Sequence, residues 1–165
     1  MILITGAKGQ LGTELRYLLD ERGVDYVAAD VEEMDITDSE KVEAFFAEVK
    51  PTIIYHCAAY TAVDAAEDEG KELNYKINVT GTENIAKAAA KYDAILVYIS
   101  TDYVFDGSGD TPWTEIDRPA PLNAYGRSKL LSEQAIADSG CDALVFRCSW
   151  IYSPHGQNFI KTILK

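Results

Sequence analysis

Short, continuously apolar runs alternate along the chain with longer amphipathic stretches. The runs are rich in Ile, Leu and Val and do not alternate with polar residues, which is typical of parallel strands covered on both faces. The pattern predicts strands at 2–5, 24–29, 52–57, 93–99 and 143–148, and helices at 10–22, 38–49, 70–91, 122–138 and 156–164. Alternating elements of this length predict an α/β fold, a doubly wound parallel sheet of the Rossmann type, in one domain over residues 1–165.

Local signals support these boundaries. Thr37 or Asp38 is placed to cap the second helix, and Pro51 prevents that helix from continuing into the third strand. The connection over 102–121 is long for a compact domain, and loops of that length are more often functional than not. We therefore expect it to contribute to a site.

Composition narrows the classes of partner. The net charge of -12 argues against a nucleic-acid surface, because phosphate binding needs clustered Lys and Arg. No apolar stretch approaches the roughly 20 residues that a membrane span requires, and we expect a cytoplasmic protein. The three cysteines show no paired spacing, and Cys57 and Cys148 lie in apolar runs typical of small buried thiols. His56 and His155 have no metal-ligand spacing, and we assign neither a catalytic role.

A glycine-rich turn joins the first strand to the first helix. Its spacing is Gly6-x-x-Gly9-x-x-Gly12, looser than Gly-x-Gly-x-x-Gly. Gly6 permits a tight turn, Gly9 lets a pyrophosphate approach the backbone, and Gly12 lets helix and strand pack closely. The helix N-terminus offers free N–H groups to phosphates. Because the motif follows a strand and opens a helix, it predicts dinucleotide binding.

Other strand ends carry weaker signals. Asp30 ends the second strand, where a carboxylate accepts bonds from ribose hydroxyls and repels a 2′-phosphate, which favours NAD modestly over NADP. Asp35 and Ile36 either flank the adenine or form an ordinary turn before a helix. Ala58 and Ala59 either leave room for a ligand or simply pack tightly. For Asn78, within a helical pattern, a local structural bond is the default interpretation.

Tyr125 and Lys129 are the most informative pair in the chain, although the pair by itself would be weak evidence. Residues four apart share one face of a helix, where an ammonium lowers the phenol's pKa from about 10 and prepares it as a proton donor. Thr101 and Asp102 follow the fourth strand, where a substrate carbonyl would lie. A hydroxyl donor, a Tyr acid and a Lys form a workable set for reducing a ketone.

Together these motifs resemble the extended short-chain dehydrogenase/reductase family, and within it the reductases of dTDP-4-keto sugars. The resemblance covers nearly the whole chain. It rests on residues 6–12 (GAKGQLG), 57–64 (CAAYTAVD), 77–82 (INVTGT), 100–107 (STDYVFDG), 124–129 (AYGRSK) and 147–152 (RCSWIY).

The resemblance implies hydride transfer from NADH or NADPH to C4 of a dTDP-4-dehydro-6-deoxy-hexose, giving dTDP-L-rhamnose. It implies that Tyr125 protonates the developing alkoxide, that Lys129 lowers its pKa and binds the nicotinamide ribose, and that Thr101 bonds the substrate oxygen. The residues that it places at the cofactor are Gly6, Gly9, Gln10, Leu11, Gly12, Asp30, Asp35, Ile36, Ala58, Ala59, Tyr60, Thr61, Tyr125 and Lys129. Those that it places at the substrate are Thr101, Asp102 and Trp150.

Members of this family continue well beyond residue 165, and their further part builds much of the sugar-nucleotide pocket and the dimer contacts. We therefore expect this chain to lack the C-terminal substrate lobe, to bind cofactor, and to turn over substrate poorly. The resemblance also implies a homodimer of the full-length protein. Acidic residues such as Glu14 are candidates for a dimer-bridging ion, for which Mg²⁺ is considered.

Two other functions fit the same motifs. One is a non-catalytic, NADP-binding regulatory subunit similar to that of methionine adenosyltransferase, although the intact Thr101, Tyr125 and Lys129 favour an enzyme. The other is a sugar-nucleotide epimerase or dehydratase. A dehydratase would carry acidic residues directly after the Thr, which Asp102-Tyr103 only half satisfies.

Overall fold

A single parallel sheet of five strands organises the chain, in a computed structural model that describes residues 1–156 and 158–164. The strand order is β2-β1-β3-β4-β5, which confirms the predicted doubly wound α/β class. The strands are β1 (Ile2–Thr5), β2 (Tyr26–Ala29), β3 (Ile53–His56), β4 (Ile95–Thr101) and β5 (Ala143–Cys148).

Helices connect successive strands and cover the sheet. They are α1 (Gln10–Glu21), α2 (Ser39–Val49), α3 (Lys71–Asn74), α4 (Thr82–Lys91), α5 (Ala124–Ser139) and α6 (Phe159–Ile163), with a π-helical segment at Tyr75–Gly81 and 3₁₀ turns at Ala65–Glu67 and Asp102–Val104. The last helix is shorter than the predicted 156–164, and residue 157 of that prediction lies outside the described residues. The N-cap of α2 is Asp38, whose carboxylate accepts from the backbone N–H groups of Glu40 and Lys41.

Strand register brings the chemically interesting residues to one edge. Thr5, the last residue of β1, pairs with Ala29 of β2 on one side and with His56 of β3 on the other. The chain leaves β1 between these neighbours, so the crevice beyond the strand ends is the topological switch point at which doubly wound sheets bind ligands.

Apolar side chains fill both faces of the sheet. On one face, Leu3, Phe46, Leu96 and Ile136 belong to a large buried cluster. On the other, Ile4 packs with Ala7 and Leu19 beneath α1 and its preceding turn. Burial on both faces explains why the strands read as continuous apolar runs.

The helix predicted at 70–91 was wrong in detail, because the π-helical segment interrupts it between α3 and α4. Such segments arise inside α-helices, frequently at functional sites. Here Asn74 and Asn78 both point into the protein and are almost fully buried. Gly81 lies so close to Ile36 that an added Cβ would come within 2.7 Å of the Ile36 Cδ1 atom.

The β5 edge of the sheet is less covered than the rest. Leu144 and Phe146 are 55% and 50% exposed, in contrast to the fully buried Leu96 of the neighbouring strand. Among the helices that the structure describes, none is long and apolar enough to cross a membrane.

Candidate active site

The carboxyl ends of β1, β3 and β4 border one groove with two lobes, of about 440 and 490 Å³. Gly9, Cys57 and Ala59 line both lobes, so the two are continuous at the glycine turn. We call the first the adenosine lobe, because the residues predicted to lie near the adenosine of the cofactor line it. We call the second the catalytic lobe, because the predicted catalytic residues line it. A groove with this shape at the switch point suits an extended ligand with two halves.

The adenosine lobe collects half of the predicted cofactor residues. Gly6, Gly9, Asp30, Asp35, Ile36, Ala58 and Ala59 all line it. Sequence reasoning missed Lys8, Met34 and Thr37, which line the same lobe. Thr37 could have been found from its place two residues after Asp35 in the sequence. Its hydroxyl donates to Asp35 at 2.7 Å and helps to hold the pKa of that carboxyl below its usual value.

The geometry of the glycine turn fits a dinucleotide. Gly6 has a φ of +62°, and a Cβ on Gly12 would lie 2.3 Å from the Gly6 carbonyl oxygen. Gly9 is the N-cap residue of α1 and supplies no side-chain cap to its first turn. The helix therefore presents backbone N–H groups to the groove without a competing side chain, as phosphate sites require.

Some of the remaining predicted cofactor residues line the catalytic lobe, and others hold the backbone of the groove in place. Gln10, Leu11 and Thr61 line the catalytic lobe, whereas Gly12 packs behind the turn. Tyr60 supports the groove through its backbone, whose N–H donates to Asn78 at 2.8 Å.

Asn78 connects three elements, which corrects the interpretation of a purely local bond. Its amide donates to the Tyr60 carbonyl at 3.0 Å, to Asn74 Oδ1 at 2.8 Å and to Ser128 Oγ at 3.2 Å. Only the bond to Asn74 is local. The bonds to Tyr60 and Ser128 connect the segment after β3 to helix α5, and so fix the position of the helix that carries Tyr125 and Lys129.

The catalytic lobe brings together the three predicted catalytic residues. Thr101 ends β4, while Tyr125 and Lys129 lie one turn apart near the start of α5, and all three line this lobe with Asp102 and Trp150. Asn123 caps α5 by accepting from the Gly126 N–H at 2.6 Å. The long connection at 102–121 starts at this lobe, and its Tyr103 ring meets the Tyr125 ring edge-on at 6.1 Å.

Lys129 is buried, with 2% of its surface exposed. Its ammonium donates to the Ile99 carbonyl oxygen at 2.7 Å and lies 4.2 Å from the centre of the Tyr98 ring. Burial lowers the pKa of Lys129 to about 7, against the opposing influence of the Glu133 carboxylate. The amine is therefore poised to exchange a proton near neutral pH.

Tyr125 does not show the lowered pKa that the sequence predicted. Burial, with the charges of Asp102 and Tyr103 contributing, raises the pKa of its phenol to about 12. The reason is that Lys129 is directed at the strand, towards Ile99 and Tyr98, and is itself largely desolvated. Tyr125 is thus protonated at neutral pH, which suits an acid that donates its proton.

Thr101 and Asp102 form a small network at the mouth of the lobe. The Thr101 hydroxyl donates to Asp102 Oδ1 at 3.1 Å and accepts from the Tyr103 N–H at 3.2 Å. Ser149 donates to Asp102 Oδ2 at 2.7 Å. Trp150, in a left-handed conformation with φ of 54°, packs its ring 4.6 Å from that of Phe159.

A half-buried ion pair behind the lobe was missed. Arg147 donates to both oxygens of Glu133, with its NH2 group at 2.7 Å, and Ser100 donates to the same carboxylate at 2.5 Å. The sequence offers little signal for this cluster, because its members come from β4, α5 and β5. It ties together the elements that carry Thr101 and Lys129.

The cysteines and histidines behave as structural residues. Burial raises the pKa of the Cys57 thiol to about 12, which makes it a poor nucleophile. Burial lowers the pKa of His56 to about 3, so its ring is neutral between the hydroxyls of Thr5 and Thr82. Within residues 1–156 and 158–164, no group of three or more His, Cys, Asp or Glu side chains is arranged to hold a metal ion. Glu14 Oε1 lies 3.8 Å from His155 Nε2, and a dimer-bridging Mg²⁺ at Glu14 stays a prediction for the full-length protein.

Comparison with known proteins identifies relatives along the whole chain. The dTDP-4-dehydrorhamnose reductase of Escherichia coli K12 is 44% identical over 168 residues, which cover 99% of this chain and 56% of that protein. A crystal structure of a dTDP-4-dehydrorhamnose reductase from Clostridium acetobutylicum superposes with a TM-score of 0.94 at 45% identity, covering 99% of this chain and 57% of that one. The enzyme from Bacillus anthracis in complex with NADP gives a TM-score of 0.94 at 43% identity, covering 99% and 58%.

The chain spans just over half the length of these relatives. The family model for the RmlD substrate binding domain matches residues 1–165. The chain therefore belongs to the RmlD substrate binding domain family, which confirms the predicted resemblance to the dTDP-sugar reductases.

Proposed function

We propose that this chain is the NAD(P)H-binding part of a reductase that converts dTDP-4-dehydro-6-deoxy-L-mannose into dTDP-L-rhamnose. The observation that carries the proposal is the meeting of Thr101, Tyr125 and Lys129 in one lobe of a groove whose other lobe starts at the glycine turn. The names of relatives at 43–45% identity support the same reaction.

Gly6, Gly9 and Gln10 would hold a nicotinamide dinucleotide, which would supply the hydride for C4 of the 4-keto sugar. Tyr125 gives its phenolic proton to the oxygen that becomes the 4-hydroxyl, and its high pKa keeps that proton available at neutral pH. Lys129, with a pKa of about 7 and one helical turn from Tyr125, would bind the nicotinamide ribose, and a proton from solvent would restore the Tyr125 phenol after each turnover. Thr101 turns its hydroxyl from Asp102 to the substrate oxygen, and Asp102 and Trp150 contact the sugar nucleotide.

The test combines cofactor binding with turnover. Protein fluorescence measures the binding of NADH and NADPH to this chain. Chromatography follows the conversion of a panel of dTDP-4-keto sugars, with NADH consumption, by the full-length protein. We expect Tyr125→Phe to keep the cofactor affinity and to lose about 10²–10⁴-fold in turnover. Tyr26→Phe is the matched control, because Tyr26 lies on β2 and its hydroxyl donates to Asp20 away from the groove.

Two outcomes would replace the proposal. Tight cofactor binding with no conversion of any keto sugar would favour the regulatory subunit, and product formation without net loss of NADH would favour the epimerase. Equal turnover by the wild-type full-length protein and its Tyr125→Phe variant would remove Tyr125 from the mechanism.

The same proposal covers location and assembly. We infer a cytoplasmic protein, because the nucleotide-sugar substrate and the reduced cofactor are cytoplasmic metabolites and the predicted thiols suit a reducing compartment. The homodimer implied by the family resemblance is proposed for the full-length protein, and light scattering tests it.

A further inference from the structure

We propose that Glu32 and Glu33 make the adenosine lobe selective for NADH over NADPH, because they engage Lys8, the cation that would otherwise meet a 2′-phosphate. This inference rests on the proposed cofactor function and concerns the choice between the two dinucleotides. A relative with the same fold is found in complex with NADP, so the fold itself does not decide the matter. The residues after β2 must decide it.

Asp30 is fixed at the end of β2 by backbone donors. Its Oδ2 atom accepts from the Lys8 N–H at 3.0 Å, and its Oδ1 atom accepts from the Val31 N–H at 3.0 Å. A carboxylate offers about four acceptor sites, so it can also accept from ribose hydroxyls. A 2′-phosphate in that place would set its charge against a carboxylate that cannot turn away.

Glu33 also contacts Asp30 at the end of β2. Its Oε2 atom accepts from the Asp30 N–H at 2.9 Å, which brings a second carboxylate beside the first. Its Oε1 atom lies 3.9 Å from the Lys8 ammonium. Glu33 therefore both orders the end of β2 and attracts the nearby cation.

Lys8 is the one cation among the described residues that line the adenosine lobe. Its ammonium donates to Glu32 Oε2 at 2.8 Å, and this bond raises the pKa of Lys8 and lowers that of Glu32. In exposed positions such a pair adds little stability, so its effect is on the local field. Three carboxylates (Asp30, Glu32 and Glu33) against one ammonium leave two net negative charges at this corner.

The consequence differs for the two cofactors. The 2′-hydroxyl of NADH is neutral and can donate to Asp30. The 2′-phosphate of NADPH adds about −1.5 to −2 charges, and Lys8, the one cation among the described residues that line this lobe, is already paired with Glu32. Because the corner is exposed and screened by salt, we expect a preference of about tenfold rather than complete exclusion.

The experiment measures dissociation constants of NADH and NADPH by fluorescence titration at low salt. We expect the wild-type chain to bind NADH about tenfold more tightly than NADPH. The double variant Glu32→Gln/Glu33→Gln should bind NADPH about tenfold more tightly than the wild-type chain does, with NADH affinity changed by less than about threefold. Adding Lys8→Met to the double variant should remove most of the gain, because the freed ammonium is its source.

A matched control separates local from global charge. Glu21→Gln/Glu48→Gln removes two exposed acidic charges outside both lobes and should leave the preference unchanged. Thermal unfolding of each variant shows whether it is folded. Comparison of 2′,5′-ADP with 5′-AMP isolates the 2′-phosphate contribution and keeps the test independent of the nicotinamide half.

The failures are distinguishable. If neither dinucleotide binds the wild-type chain, the proposed function fails. If both bind equally well, or if the folded double variant gains no NADPH affinity, this inference is overturned while the proposed function stands.

Discussion

Replacing Lys129 by Met should stabilise the fold at neutral pH while it removes a group on which the proposed chemistry depends. The side chain is 2% exposed, and its pKa in the folded chain is about 7, compared with an ordinary value of 10.5. Met has a similar length and no charge, so it fills the space without the cost of burying an ammonium. Functional groups of this kind are retained at the expense of stability.

The sign and size follow from proton linkage. The folded state binds the Lys129 ammonium proton less tightly than the unfolded state does. The free energy of unfolding is therefore not reduced by Lys129 above the unfolded pKa of 10.5, and it falls as the pH is lowered from there through the folded pKa of about 7. The linkage cost is on the order of 4 kcal/mol at about pH 7 and on the order of 1.5 kcal/mol at about pH 9.5. Lys129→Met removes this linkage cost but also loses the hydrogen bond to the Ile99 carbonyl, which offsets about 1–3 kcal/mol of the gain. The free energy of unfolding of the variant should therefore be about 1–3 kcal/mol higher than that of the wild-type chain at neutral pH.

Urea unfolding, followed by circular dichroism at both pH values, measures the effect. The free energy of unfolding of the wild-type chain should rise by on the order of 3 kcal/mol relative to the variant between about pH 7 and pH 9.5. Cys57 and Tyr125 have raised pKa values and lose stability as the pH rises, but they do so in both proteins and cancel in the difference. Lys71→Met is the control, because Lys71 is exposed, and its pH dependence should follow the wild-type chain.

Parallel pH dependences of the wild-type chain and Lys129→Met would refute this reasoning. They would mean that Lys129 stays charged in the folded protein throughout this range. A variant less stable than the wild-type chain at neutral pH would mean that the contacts with Ile99 and Tyr98 outweigh the cost of burial.

Three further variants test the groove. In Gly12→Ala the new Cβ would lie 2.3 Å from the Gly6 carbonyl oxygen, so urea unfolding should show a loss of about 1–3 kcal/mol or more. In Gly9→Ala the new Cβ would lie 3.1 Å from the same oxygen, so this variant should lose less stability than Gly12→Ala. Its dinucleotide affinity, measured by fluorescence titration, should fall by at least about tenfold. Asn78→Ala removes bonds to three partners and should cost about 2–4 kcal/mol of unfolding free energy, with a lower cofactor affinity as the floor of the groove loosens.

Each of these has a result that would contradict it. Equal losses of stability in Gly9→Ala and Gly12→Ala would show that the two glycines do not have separate roles. For Asn78 the control is Asn84→Ala, which removes one bond, to the Ile36 carbonyl at 2.9 Å, and should cost about 1 kcal/mol. An Asn78→Ala variant no less stable than this control would argue against a network that spans three elements.

The positions of the strands and the fold class could be predicted from the sequence because their determinants are local. Continuous apolar runs mark strands that are buried on both faces, and the Asp38 cap and Pro51 mark where elements begin and end. Tyr125 and Lys129 could be placed together because helical spacing alone puts them on one face. Thr101 joined them because carboxyl ends of parallel strands lie at one edge.

Hydrophobic periodicity and turn chemistry thus determined the fold class, the groove at the switch point and several of the residues that meet in it. Tertiary structure alone decided how those residues behave. Burial raised the pKa of Tyr125 and lowered that of Lys129, and distant segments supplied the contacts of Asn78 and the Glu133–Arg147 pair. The physical reason is that strand and helix preferences act over a few residues, whereas desolvation and charge depend on what the folded chain places nearby.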